Sequence, residues 1–339
     1  MLQSYRVRER VTSSRVERVR TPLDDQPTGP AAPTSSALPE DPPVVSLIGS
    51  TPLVPLTKVG ELLAPRVSVY VKLEGLNPGG SVKDRAALSI VRDALRSGEL
   101  GPGRTLLDAT SGNTGIAYAM LGAAFGFPVR LALPADVSPE RIQILQAYGA
   151  ELTQTDPAAG TEGSRCFARE LAARRPDRYF YADQYNNPAN PRAHYATTGP
   201  EIWRQSRAGI THFVAGLGTG GTMTGVGSYL KVRDPHTRLV GVQPQGAQHG
   251  ISGLKHLASA DVPGIYDAGL VDEIAEVSTE KANGMALRLA REEGLFVGIS
   301  AGAAVAAALR VARELEQGLV VALLADGGFK YTSAPFWSG

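Results

Sequence analysis

From residue 67 onward the apolar positions follow two alternating rhythms. Short runs that alternate or are rich in β-branched residues read as strands at 67–74, 105–109, 129–133, 151–155, 212–216, 239–242, 271–277 and 319–325. Between them, apolar residues recur at three- and four-residue spacing and read as helices. These fall at 81–97, 114–125, 139–148, 161–174, 188–206, 222–231, 279–293 and 301–316. Strands that alternate with helices make parallel sheets covered by helices, an α/β fold. Two lobes joined near residues 185–210 suit the length, with boundaries at 44–190 and 191–339. A ligand then belongs in the cleft between them, at the carboxyl ends of the strands. The 38 glycines gather at strand-to-helix junctions, where backbone approaches ligand in such folds.

The first 43 residues are a different material. Residues 1–20 hold six arginines and two glutamates without an apolar stretch, which excludes a secretory signal. Residues 21–43 hold seven prolines among Asp, Thr, Ser and Ala, the composition of a disordered tail. Over the whole chain, hydrophobic content of 43% and charged content of 20% are ordinary for a soluble globular protein. A net charge of +1 leaves no electrostatic footprint for nucleic acid or membrane. No apolar run approaches a membrane span in length. The single cysteine, Cys166, has no partner for an internal disulfide, which suits a reducing cytoplasm, and it reads as a small packed residue.

Candidate chemistry begins at Asn77-Pro78-Gly79-Gly80-Ser81-Val82-Lys83-Asp84-Arg85. This run sets one lysine at a helix start, after a strand and a Gly-rich turn, with Ser81 as the expected N-cap. The positive helix end disfavours the ammonium form, and a neutral amine is what a Schiff-base nucleophile must be. For a lone lysine, a surface position at a helix start is the better reading. Thr110-Ser111-Gly112-Asn113-Thr114-Gly115 follows another strand and reads equally as an anion-binding loop or as a capping turn. Gly216-Leu217-Gly218-Thr219-Gly220-Gly221-Thr222 reads as a phosphate cradle at a helix N-terminus. Its glycine spacing also satisfies the dinucleotide fingerprint. That fingerprint wants an acid at the end of the next strand, and Gln243-Pro244 stands there instead. Ser300, in Gly298-Ile299-Ser300-Ala301-Gly302, is by default an N-cap.

One lysine, a Gly/Thr phosphate loop, an Asn-bearing loop and a serine together suit pyridoxal 5′-phosphate. With Ile48-Gly49-Ser50-Thr51-Pro52-Leu53 and Asn187-Pro188-Ala189-Asn190, the same motifs resemble those of the cysteine synthase and cystathionine β-synthase group of fold-type II pyridoxal-phosphate enzymes. The likeness runs in the family's order from about residue 45 to 333. Within that group, 262–267 and 326–331 look like bacterial cysteine synthases of the B type.

The resemblance implies a two-lobed fold like that of tryptophan synthase β, with the cofactor in the inter-lobe cleft. Lys83 would hold the cofactor covalently and shuttle the substrate's α-proton. Asn113 would bond the cofactor's 3′-oxygen, Gly218, Thr219, Gly220, Gly221 and Thr222 its phosphate, and Ser300 its ring nitrogen. Thr110, Ser111, Gly112, Thr114 and Gln184 would hold the substrate's α-carboxylate. A hydroxyl rather than a carboxylate at Ser300 limits the ring as an electron sink and favours prompt loss of a β-substituent. The implied activity is β-replacement: an activated serine, O-acetylserine or O-phosphoserine, with sulfide or a carrier-protein thiocarboxylate, gives L-cysteine. Making diaminopropionate or cystathionine, or deaminating serine or threonine, is the alternative within the fold; a non-catalytic partner protein is the alternative outside it. The resemblance further implies a cytoplasmic homodimer, with no metal and no nucleic-acid or membrane partner. Phosphoserine users carry an arginine where Gln245 stands; Lys255, His249 and His256 nearby read as solvated or structural.

Overall fold

The computed structural model describes residues 40–60, 63–110, 112–135 and 137–338. Most of the tail expected over 1–43, and Ser111 of the expected substrate loop, lie outside the described residues. Ten strands and nine α-helices are seen among the described residues, in two sheets. The smaller sheet has the order β5-β4-β3-β6, from Glu151–Thr155, Val129–Pro134, Thr105–Ala109 and Tyr179–Tyr181, and is wholly parallel. The larger has the order β1-β2-β10-β7-β8-β9, from Leu53–Pro55, Arg66–Leu73, Gln317–Leu324, His212–Gly216, Arg238–Pro244 and Glu273–Val277. Every pair in it is parallel except β1 with β2.

Sheet membership does not follow chain order. β1 and β2 lie far before residue 190, yet β10 pairs with β2 along its whole length, from Gln317↔Arg66 to Leu324↔Leu73. Strands buried on both faces need near-continuous apolar runs, and β3 and the second half of β10 are buried throughout.

The helices are α1 Lys83–Ser97, α2 Asn113–Phe125, α3 Pro139–Ala147, α4 Gly160–Arg174, α5 Ala189–Ala193, α6 Gly199–Gln205, α7 Gly221–Arg233, α8 Thr279–Arg288 and α9 Ile299–Arg313. α1 and α2 pack with β3 and β4 into one core, while α9 packs with β2, β8 and β10 into another. α9 is rich in Ala and Gly because it runs close against α8: a Cβ on Gly302 would stand 2.2 Å from the Ala282 carbonyl.

Two departures from the hydrophobic pattern have local causes. β1 and β6 have only three residues each, too short for a period-two signal to show. The helix expected over 188–206 is α5, a π-helical turn at His194–Thr198, and α6. Pro200 supplies no N–H to a regular ladder, and the chain widens in the turn just before it, where the Gly199 N–H reaches back to the His194 carbonyl. That widened turn brings His194 to Thr222, in the first turn of α7.

Candidate active site

Lys83 opens α1 where the sequence places it, at the end of a turn whose Gly80 has φ +79°. The N-cap is Val82 rather than Ser81, although the Ser81 hydroxyl accepts the Lys83 backbone N–H at 3.2 Å. Part of Lys83 faces a cavity of about 270 Å³. Burial pushes its amine below the ordinary lysine value, and Asp326 pulls the other way. Burial thus reinforces the helix-end effect expected from the sequence.

Ten of the thirteen expected site residues line that cavity: Lys83, Thr110, Gly112, Asn113, Thr114, Gln184, Gly218, Thr219, Thr222 and Ser300. Gly220 and Gly221 stand behind its wall, against Tyr266 and Asn190. These residues come from both sheets, since β3, β7 and β10 all end here. α1, α2, α7 and α9 all start here, and at none of the four does the N-cap residue, Val82, Gly112, Gly220 or Gly298, cap the helix with its side chain. The capping readings of Asn113 and Ser300 therefore give way. Both sit inside the first turn, where helix N–H groups face the cavity.

The residues present fit a phosphate-bearing cofactor. The turn into α7 has no room for a side chain at Gly218, where a Cβ would meet the Gly253 carbonyl at 2.4 Å, or at Gly221, the first residue of α7, where one would meet Asn190 Oδ1 at 2.1 Å. Such a loop presents backbone N–H groups and the Thr219 and Thr222 hydroxyls at the positive end of a 13-residue helix, where an anion is stabilised. Thr222 Oγ1 lies 3.3 Å from Nε2 of the buried His194, whose other ring nitrogen meets Thr198 at 3.0 Å. Burial holds that imidazole well below its usual pKa, so it stays neutral beside the cradle. Opposite, the Thr114 hydroxyl donates to Gln184 Oε1 at 2.6 Å, which turns the Gln184 amide nitrogen outward as a donor. Asn190 donates to both the Gln184 carbonyl and Thr219 Oγ1, tying the two halves of the site together.

Several residues here were not singled out as site residues. Arg141, Thr161, Tyr185, Ser252, Lys255 and Tyr331 also line the cavity. Lys255, read from the sequence as solvated or structural, instead sits 5.0 Å above the Tyr185 ring, which Arg165 approaches at 4.5 Å. Cation–π pairing leaves no trace in sequence spacing. Asp326 and Lys330 reach Asn113 from the far end of the chain, through the Asp326–Tyr331 stretch quoted only as a sub-branch marker. By contrast, Ile48–Leu53 holds the scaffold: the Thr51 hydroxyl donates to Glu74 at 2.6 Å, its carbonyl accepts from Lys72, and the Ser50 N–H meets Glu201.

Asp108, at the end of β3, is buried and accepts from the Ala109 N–H at 2.7 Å. Burial raises its carboxyl from an ordinary 3.8 to about 7. A raised carboxylate destabilises the fold progressively as pH rises from the unfolded value to the folded one. Asp108→Asn is therefore expected to gain stability relative to the unsubstituted protein between about pH 4 and pH 7 and to change little above that. Melting temperatures of both proteins across that range test this; a gap independent of pH would contradict it.

The chain is similar to known proteins over most of its length. Residues 44–326 match the family described as Pyridoxal-phosphate dependent enzyme. Cysteine synthase of Aquifex aeolicus is 50% identical over 300 residues, covering 87% of this chain and 92% of that protein. Cysteine synthase B of Salmonella typhimurium is 46% identical over 286 residues, covering 84% and 93%. The crystal structure of O-ureido-L-serine synthase superposes with a TM-score of 0.81 at 41% identity, covering 87% of this chain and 95% of that one.

Proposed function

The chain belongs to the pyridoxal-phosphate dependent enzymes, and from that premise we propose that it makes L-cysteine by β-replacement on an activated serine. The observation that carries this reading is the meeting, in one cavity, of a desolvated lysine, a tight Gly/Thr cradle and a hydroxyl at the start of α9. Pyridoxal phosphate, when bound, supplies an electron-withdrawing ring conjugated to the substrate's α-carbon.

The side chains divide the remaining work. The Lys83 amine anchors the cofactor and, once freed, takes and returns the proton at the substrate's α-carbon. The phosphate is held by Gly218, Thr219, Gly220, Gly221 and Thr222, with His194 orienting the Thr222 hydroxyl. Asn113 donates to the cofactor's 3′-oxygen. The substrate's α-carboxylate is met by Thr110, Ser111, Gly112, Thr114 and the outward amide of Gln184. Ser300 offers the ring nitrogen a neutral hydroxyl and no counter-charge, which favours prompt departure of the β-substituent over prolonged carbanion chemistry. Two functional lobes belong to this reading, the four-stranded sheet carrying the substrate loop and the six-stranded sheet carrying the phosphate cradle.

Lys255 and Arg141 in the cavity wall give an anionic leaving group a cationic neighbour, so O-phosphoserine stands beside O-acetylserine as the activated serine. Sulfide, or a carrier-protein thiocarboxylate, is the sulfur source. The lone Cys166 fits a cytoplasmic setting, and the family resemblance supports a homodimer. A different acceptor is the second reading, favoured by the likeness to O-ureido-L-serine synthase. Turnover of O-acetylserine, O-phosphoserine and serine, each with sulfide and with homocysteine, separates these. Cysteine from an activated serine and sulfide is expected. Cofactor-loaded protein that forms no cysteine from any pair would overturn the assignment.

A further inference from the structure

We propose that Asp326 and Lys330 are positioning residues, which grip the two ends of the Asn113 side-chain amide and so decide which of its atoms faces the cofactor. The inference rests on the reading of Asn113 as a cofactor ligand and extends it to a segment more than 200 residues away.

An asparagine amide has nearly the same shape after a half-turn about its terminal bond, but oxygen and nitrogen change places. Left to itself, Asn113 could offer the cavity either an acceptor or a donor. Here Lys330 Nζ donates to Asn113 Oδ1 at 2.7 Å, and Asn113 Nδ2 donates to Asp326 Oδ2 at 2.8 Å. A flipped amide would press its oxygen against a carboxylate and its N–H groups against an ammonium. Both ends would be repelled, and both charged partners are almost wholly buried, where such contacts are screened least. In the observed orientation Asp326 takes one amide hydrogen. The second remains to donate into the cavity that Asn113 lines. A cofactor oxygen carrying negative charge is the ligand such a donor recognises.

The clamp is itself anchored at two other helix starts around the cavity, those of α1 and α9. Lys330 Nζ also donates to the Gly79 and Gly80 carbonyls, at 2.9 and 3.1 Å, in the turn that leads to Lys83. Tyr331 Oη donates to Asp326 Oδ2 at 2.6 Å. The Gly298 N–H, at the start of α9, donates to the Asp326 carbonyl at 3.1 Å. A Cβ on Gly298 would stand 2.1 Å from Asp326 Oδ1, so only glycine lets the carboxylate sit there. Residues 326–331 thus bind the turn before α1, the first residue of α2 and the N-cap of α9 into one unit.

The test is the absorption spectrum of the cofactor-loaded enzyme. A donor at the 3′-oxygen favours the form absorbing at longer wavelength, so the ratio of long- to short-wavelength bands reports the Asn113 amide. Lys330→Met and Asp326→Ala are each expected to lower that ratio by about twofold or more, and Asn113→Ala to lower it alike. Lys330→Arg, which keeps a donor, should restore it. In the Asn113→Ala background neither clamp substitution should lower the ratio further, because the clamp acts through that amide. Ratios unchanged in the single variants, or a shift that persists in full without Asn113, would overturn the proposal. Should Lys330→Met or Asp326→Ala fail to retain cofactor, Asp326→Asn, which keeps the volume and removes the charge, is judged by the same criteria. Unsubstituted protein showing neither band would overturn the parent reading and this one together, whereas normal bands insensitive to every clamp variant overturn the clamp alone.

Discussion

Replacing Lys83 with alanine is expected to lower cysteine formation by roughly 10³-fold or more and to abolish the covalent attachment of cofactor to chain. Among the described residues the cavity wall supplies no second amine at the start of α1. Lys255 lines the same cavity but lies against Tyr185, and Lys330 is committed to Asn113, Gly79 and Gly80. Burial keeps the Lys83 amine below the ordinary lysine pKa, so a larger share of it is neutral and nucleophilic near neutral pH. Borohydride reduction followed by intact-mass analysis should find the cofactor's added mass on the unsubstituted protein and none on Lys83→Ala. The phosphate cradle is untouched by the substitution, so the variant should still take up cofactor non-covalently. A variant with undiminished turnover would remove Lys83 from the mechanism, and with it the β-replacement reading.

Arg85→Ala is expected to cost about 3–5 kcal/mol of stability, far more than its two-residue distance from Lys83 suggests. The guanidinium joins two carboxylates in the interior. It donates to Glu74 at 2.7 and 2.9 Å and to Glu201 at 2.7 and 2.8 Å. Lys72, also buried, completes the network with 2.6 Å contacts to Glu201 and to the Thr51 carbonyl. Burial alone would raise the Glu201 carboxyl, but Arg85 and Lys72 overcome it and hold the group at about 2. That stabilisation is present above the ordinary glutamate value and is lost as pH falls toward about 2. Without Arg85, Glu74 keeps only hydroxyl and amide partners in the core, and an uncompensated buried charge is among the most damaging single defects. Thermal or urea unfolding of the apoprotein at neutral pH measures the loss. A shift of less than about 1 kcal/mol would mean that the site opens to water and the network carries little.

The two expectations separate the roles of neighbouring residues in one short run. In the proposed reading Lys83 acts in the chemistry, while Arg85 ties the strand and helix on either side of it to Glu74 and Glu201. Their sequence context does not distinguish them, because burial and partners 116 residues away decide the difference.

Much of the fold was legible along the chain. The alternation of β-branched runs and amphipathic stretches reflects physical periods of two and 3.6, and those local rules placed eight strands and nearly all the helices. The loops were legible as well, since a Gly/Thr run after a strand needs backbone freedom that few other residues provide. The residues proposed to carry the site, Lys83, Asn113, the 218–222 loop and Ser300, were therefore visible as types in an order. β1 and β6 were not, being three residues long and held by pairing. Nor was the π-helical turn that brings His194 to Thr222.

Chain order could not reveal which segments meet. That β2 lies beside β10, that Asp326 and Lys330 grip Asn113, and that Lys255 stacks on Tyr185 inside the cavity are all contacts between distant residues. Local propensity carries no information about them; they arise when two sheets bury their faces and the loops at one end converge. The amino-acid order thus settles which chemical groups are available and on which kind of element each sits. Packing alone decides which of them share a desolvated cavity, and it is desolvation that lowers the Lys83 amine and lets two charges set the direction of a single amide.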